Sequence, residues 1–193
     1  MKNNIKNFLE NYLKNLSSSI LESNIQNIER AAMEIKTVSE KKNTIYVCGN
    51  GGSAAISNHY VCDYLKFLRQ HSKLKPKVIS LSSTIETITA IGNDFNYDQI
   101  FKYQAESLFE KNDLLIIISS SGNSKNIKEV LKYAKKKKVK TIGFSGFDGG
   151  YLKQHTDLNI HVPTKIGEYG PAEDLHMVIC GLIGSYFRAL FLK

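Results

Sequence analysis

The chain has 193 residues, of which 42% are hydrophobic and 23% charged, and it carries a net charge of +8. That size suits one domain, and the balance excludes disordered and fibrous chains. The longest unbroken apolar runs, such as residues 114–118, fall far short of the roughly 20 residues that a bilayer-spanning helix needs, so no membrane partner is expected.

Residues 1–23 mix Lys, Asn and Glu with apolar residues and lack the apolar core and cleavage site of a signal peptide. Three cysteines (Cys48, Cys62 and Cys180) without CxxC spacing argue against a disulfide framework or a structural zinc site. A cytoplasmic location is expected.

The first forty residues read as two helices. Ile5, Phe8, Leu9, Tyr12, Leu13 and Leu16 recur at helical spacing, as do Ile25, Ile28, Ala31, Ala32 and Ile35. A break is expected near residues 17–19 and 23–24. From Thr44, short β-rich runs alternate with helical stretches. Strands are predicted at 45–48, 77–81, 114–118, 141–144 and 158–162, and helices at 54–68, 97–109, 125–140 and 173–192. Alternation of this kind implies an α/β fold, with a five-stranded parallel sheet sandwiched by helices. The whole chain, 1–193, reads as one domain. Residues 1–42 form a helical extension, and 43–193 form the α/β core with a long C-terminal helix.

Two helices carry more than architecture. Residues 125–140 hold eight lysines and one acid, a net +7 that leaves +1 for the rest of the chain. Ile127, Val130, Leu131 and Ala134 in that stretch form an apolar stripe, so the lysines read as its wet face. A nucleic-acid surface is the weaker alternative, since Tyr133 is the only aromatic available for stacking. In the final helix Leu175, Val178, Ile179, Leu182, Ile183, Tyr186, Phe187, Leu190 and Phe191 make a wide stripe. It suits either a subunit interface, which is the expectation, or burial within one chain.

Two strands end in similar turns, Cys48-Gly49-Asn50-Gly51-Gly52-Ser53 and the run from Ser119 to Ser124, each followed by a helix. Glycine lets backbone N–H groups approach an anion, the helix N-terminus adds partial positive charge, and serine hydroxyls donate. Two such turns on one sheet edge point to a phosphate site. Neither is a P-loop or a dinucleotide fingerprint, so a small phosphorylated metabolite is expected and no nucleotide cofactor.

CGNGGSAA, IGNDF at 91–95, SSSGNS and FDGG at 147–150 together resemble the SIS (sugar isomerase) domain family, and within it the phosphoheptose isomerases. The resemblance implies a flavodoxin-like α/β sandwich, a homotetramer, and a sugar phosphate bound between subunits. The implied activity is conversion of sedoheptulose 7-phosphate to D-glycero-D-manno-heptose 7-phosphate for surface polysaccharide. It further implies phosphate held by Ser53, Ser119, Ser121 and Ser124, with Ser120 in the same turn. Asn50, Gly51, Gly52, Asn93, Asp94 and Glu173 match other substrate-contacting positions.

Aldose–ketose isomerisation needs a base at carbon and an acid or metal at oxygen. His59 and Asp63 are four residues apart and share a helical face. The family has Glu where Asp63 stands, Gln where Glu173 stands, and a catalytic histidine where this chain has Gly181. The expected catalytic residues are Asp63, Glu173 and His176. The expected metal ligands, for zinc, are His59, Asp63 and Glu173. The alternative is structural hydrogen bonding by the histidines while the carboxylates meet sugar hydroxyls. The loss at position 181 keeps open a non-catalytic SIS module of the replication-initiator-binding type.

Overall fold

Strand β3 (Leu114–Ser119) is buried along its full length and feeds two cores at once. Leu114, Ile116 and Ile118 point into one apolar cluster, and Leu115 and Ile117 into the other. A strand covered on both faces must be apolar at every position, hence the unbroken run. The computed structural model of the chain describes residues 4–23 and 25–191; Asn24, at one predicted break, and Leu192, the predicted end of the last helix, lie outside the described residues.

The sheet is parallel throughout, in the order β2-β1-β3-β4-β5, with β1 at Thr44–Gly49, β2 at Lys77–Ser80, β4 at Lys140–Ser145 and β5 at Leu158–His161. The first core packs α2 (Ile25–Glu40), α3 (Gly52–Cys62) and α9 (Tyr169–Phe191) on one face. The second packs α5 (Ile85–Asp94), α6 (Lys102–Leu108) and α7 (Lys125–Lys136) on the other. The expected α/β sandwich is therefore present. The chain leaves β1 toward β2 on one side and reaches β3 on the other, so the order reverses between β1 and β3. Open α/β sheets bind ligands outside the strand carboxyl ends at such a point, and both Gly/Ser turns lie there.

Several boundaries differ from expectation. Helix α1 (Ile5–Glu22) runs straight through residues 17–19, with the Ser19 hydroxyl donating to the Pro163 carbonyl at 2.9 Å. The helix expected over 54–68 begins at Gly52 and widens into a π-helical stretch, Asp63–Leu68, before the short α4 (Arg69–His71). The helix expected over 97–109 divides into a 3₁₀ turn at Tyr97–Gln99 and α6. Helices α5 and α8 (Gly150–His155) were not expected.

The α7 stripe is buried as predicted, with Ile127, Val130, Leu131 and Ala134 in the second core. The α9 stripe divides. Leu175, Ile179, Ile183 and Phe187 are buried within the chain, while Val178, Leu182, Tyr186 and Leu190 stand 43–49% exposed. On α1, Ile5, Phe8, Leu9 and Leu13 are more than half exposed.

Candidate functional site

The first turn joins β1 to α3. Gly51 takes φ +53°, a conformation that glycine adopts without a steric penalty. Gly49 is glycine for space, since a Cβ there would come within 2.8 Å of Ser53 and of the Ile118 carbonyl. Its backbone is pinned by Ser82, whose hydroxyl accepts from the Gly49 N–H (3.1 Å) and donates to the Gly49 carbonyl (2.8 Å). Ser53 is buried at the start of α3.

The second turn joins β3 to α7. The Gly122 N–H donates to the Ser119 hydroxyl (3.1 Å), and the Asn123 N–H to the Ser121 hydroxyl (3.3 Å). Ser124 occupies the cap position of α7, and its side chain makes no capping bond, so the helix's first N–H groups are not closed off by it. Among the described residues the buried Ser120 hydroxyl has no hydrogen-bond partner, which is costly for a polar atom unless a ligand or water meets it.

The two turns are tied together by side chains. Asn50 of the first exchanges two hydrogen bonds with Asn126 in the first turn of α7, at 3.0 and 2.8 Å, and the Tyr97 hydroxyl donates to Asn50 Oδ1 at 3.1 Å. Asn126, Tyr97 and Ser82 were absent from the sequence-derived site. Asn93 and Asp94 end α5, where they are exposed and bonded to each other (2.9 Å). The segment that follows them carries Tyr97 onto Asn50.

The expected catalytic groups are less closely gathered. His59 Nε2 lies 3.3 Å from Asp63 Oδ2, one turn apart on the same helix face. Asp63 marks the point where the α-helix becomes π-helical, a device that recurs at functional sites. Glu173 packs its carboxylate against Gly52, where any Cβ would collide with it. Burial raises the Glu173 pKa above the ordinary carboxylate range, and neighbouring Asp174 adds to this. Asp174 itself accepts from the Tyr12 hydroxyl at 2.6 Å, which pushes that phenol up to about 12.

His176 corrects an expectation. It is fully buried, set edge-on to Phe144 at 5.9 Å, and neither ring nitrogen has a hydrogen-bond partner, although the Ser145 backbone lies near. Within one chain the ring is closed off from solvent against Phe144, and its two unmet nitrogens carry the same cost as the Ser120 hydroxyl. The expected zinc set of His59, Asp63 and Glu173 is likewise not assembled within one chain, since among the described residues no three His, Cys, Asp or Glu side chains gather to hold a metal ion. Position 181 is spacious, and a Cβ built on Gly181 meets nothing within 4 Å.

Residues 8–146 match the family described as the SIS domain. The chain is 36% identical over 192 residues to a phosphoheptose isomerase of Campylobacter concisus, a match covering 97% of this chain and 99% of that one. It is 38% identical to the enzyme of that name from Aliarcobacter butzleri, covering 94% and 95%. The chain belongs to the phosphoheptose isomerase branch of the SIS-domain family.

Among solved structures, a phosphoheptose isomerase from Francisella tularensis superposes with a TM-score of 0.84 at 26% identity, over 95% of both chains. One from Neisseria gonorrhoeae also gives 0.84, at 22% identity, over 96% of this chain and 97% of that one, which shows a shared fold. Among the described residues no helix is long and apolar enough to cross a membrane.

The buried histidine of this SIS-domain protein gives a pH-dependent expectation. Burial, with a smaller contribution from nearby His161, lowers the His176 pKa from 6.5 to about 4. The unfolded chain takes up this proton near pH 6.5, whereas the folded one resists it. Stability is therefore full above pH 6.5 and is lost as pH falls toward 4, by about 3 kcal/mol from this group. Urea unfolding across that range should show the loss, and His176→Leu should shrink it by that amount. An unchanged acid limb in His176→Leu would assign the loss to other groups.

Proposed function

We propose that the protein is an aldose–ketose isomerase that interconverts sedoheptulose 7-phosphate and D-glycero-D-manno-heptose 7-phosphate. The observation that carries this is the match to isomerases of that name across 97% of the chain, spanning both Gly/Ser turns. The names of these relatives favour catalysis over a non-catalytic interaction module.

In this reading the turns at 49–53 and 119–124 hold the phosphate through backbone N–H groups and serine hydroxyls. Asp63 removes a proton from C1 of the ketose, and the electron pair forms the C1–C2 double bond of an enediol. Glu173, which keeps its proton to higher pH than an ordinary carboxyl, protonates the C2 oxygen as it gains charge. Return of a proton to C2 and loss of one from the C1 hydroxyl complete the aldose. Among the described residues His59, Asp63 and Glu173 do not gather into a metal cluster within one chain, so the steps are written through the chain's own acid and base. The exposed apolar faces of α1 and α9 are covered by further copies of the chain in a homotetramer, and the enzyme works in the cytoplasm on a heptose destined for surface polysaccharide.

The test is direct. Purified protein mixed with sedoheptulose 7-phosphate should yield aldose phosphate, followed by NMR, with and without a chelator. Saturable binding of the sugar phosphate with no product would overturn the assignment of an isomerase and leave a phosphosugar-binding protein.

A further inference from the structure

The hydrogen bonds around Asn50 have a definite direction, set by one backbone group. In α7 the Ile127 N–H is among the first four, which have no intrahelical acceptor. It donates to Asn126 Oδ1 at 2.9 Å. Only an oxygen accepts there, so the Asn126 amide has one orientation and its Nδ2 faces Asn50. Asn126 Nδ2 donates to Asn50 Oδ1 (2.8 Å), which forces Asn50 to return its own Nδ2 to Asn126 Oδ1 (3.0 Å). Asn126 is only 2% exposed, so water cannot easily substitute for either partner.

Tyr97 completes the set. Its hydroxyl donates to Asn50 Oδ1 at 3.1 Å, so both lone pairs of that oxygen are occupied, one by Asn126 and one by Tyr97. The Asn50 side chain then has a single uncommitted hydrogen-bonding group, the second Nδ2–H, on the side away from Asn126. We infer that Asn126 and Tyr97 are positioning residues that hold Asn50 as a one-way donor to an acceptor oxygen of the ligand. An unsupported asparagine could turn over and offer either end. A locked one offers only a donor, which a phosphate oxygen or the carbonyl and enediolate oxygens of the sugar accept, and it needs no reorientation as negative charge develops.

The kinetic arm rests on the isomerase reading, whereas the spectroscopic arm does not. In the ¹⁵N-labelled full-length protein, the two Asn50 Nδ2 protons should exchange with water at rates differing by at least about tenfold, because one is held by Asn126. Adding sedoheptulose 7-phosphate should shift the outer proton. Inorganic phosphate, tested in parallel, separates the sources: a shift with both probes assigns a phosphate oxygen, and a shift with the sugar phosphate alone assigns a sugar oxygen. Equal exchange of the two protons, or no shift with either probe, overturns the inference.

Asn126→Asp replaces the donor to Asn50 with a second acceptor; where Asn50 meets a sugar oxygen it should lower kcat about 100-fold with KM changed less than about threefold, and where Asn50 meets a phosphate oxygen it should raise KM instead. Tyr97→Phe removes only the exposed hydroxyl, should fold normally, and should lower kcat about fivefold, the scale of one net hydrogen bond. Wild-type turnover with both variants at wild-type kcat and KM overturns the positioning role and spares the isomerase. Protected and ligand-shifted Asn50 protons in a protein without turnover would do the reverse.

Discussion

Gly122→Ala is expected to lower stability by about 3–4 kcal/mol and to weaken phosphosugar binding with it. Gly122 has φ +62°, where a Cβ costs about 1–2 kcal/mol. The added carbon would also collide with the Gly149 carbonyl oxygen. That carbonyl cannot withdraw freely. Gly149 is itself at φ +93°, backed by the Lys153 side chain, and the Leu152 N–H donates to the Gly122 carbonyl at 3.1 Å. Overpacking of this kind adds about 1–3 kcal/mol. The melting temperature should fall by roughly 10 °C for a chain of this size. Displacing the Gly122 N–H releases the Ser119 hydroxyl that it holds, which is why affinity should fall too. Gly92→Ala in α5, where a Cβ meets nothing within 4 Å, is the control and should gain up to about 1 kcal/mol. A loss at Gly122 no larger than about 1 kcal/mol would mean that the turns after β3 and β4 move independently.

The strands were legible because each is an apolar run closed by a polar turn, and the register makes both features meet at one edge. The switch point followed from the alternation, and with it the two turns. The elements without a sequence signature are those governed by packing. Helix α5 buries only Ile91 and is rich in Ile and Thr, so neither its stripe nor its propensity marks it as helical. Helix α8 opens on Gly150 directly after Gly149 and reads as a continued turn. The π-helical stretch after Cys62 has no sequence signature, since Asp63 to Leu68 would suit an ordinary helix. Asn126 did carry a signal. It lies four residues before Val130 and so falls on the buried stripe of α7, where a polar residue needs a partner. His176 carried the same signal. It lies one turn beyond Ala172 and one turn before Cys180, both buried. The stripe passes through His176 and leaves Glu173 at its edge, so the two do not share one environment.

Asp63→Asn should reduce turnover by about 10³–10⁴-fold while leaving sugar-phosphate binding within a fewfold of wild type, since the amide keeps the shape and loses the basicity. The substitution is made one turn from His59, whose Nε2 lies 3.3 Å from the carboxylate. Asp63→Glu restores the carboxylate on a stem one methylene longer and should retain most of the activity. That contrast separates loss of a base from a local packing effect, because the longer acid disturbs packing more than the amide does. Glu173→Gln provides the second comparison. It keeps an oxygen against Gly52 and removes the group that titrates above the ordinary carboxylate range, so turnover should fall about tenfold and the pH–rate profile should lose the limb that Glu173 supplies. Should Asp63→Asn turn over as wild type while Glu173→Gln does not, the base is the carboxylate beside the first turn. Proton abstraction would then move from the C-terminal end of α3 to its N-terminus, where the helix dipole holds a developing enediolate as readily as it holds phosphate.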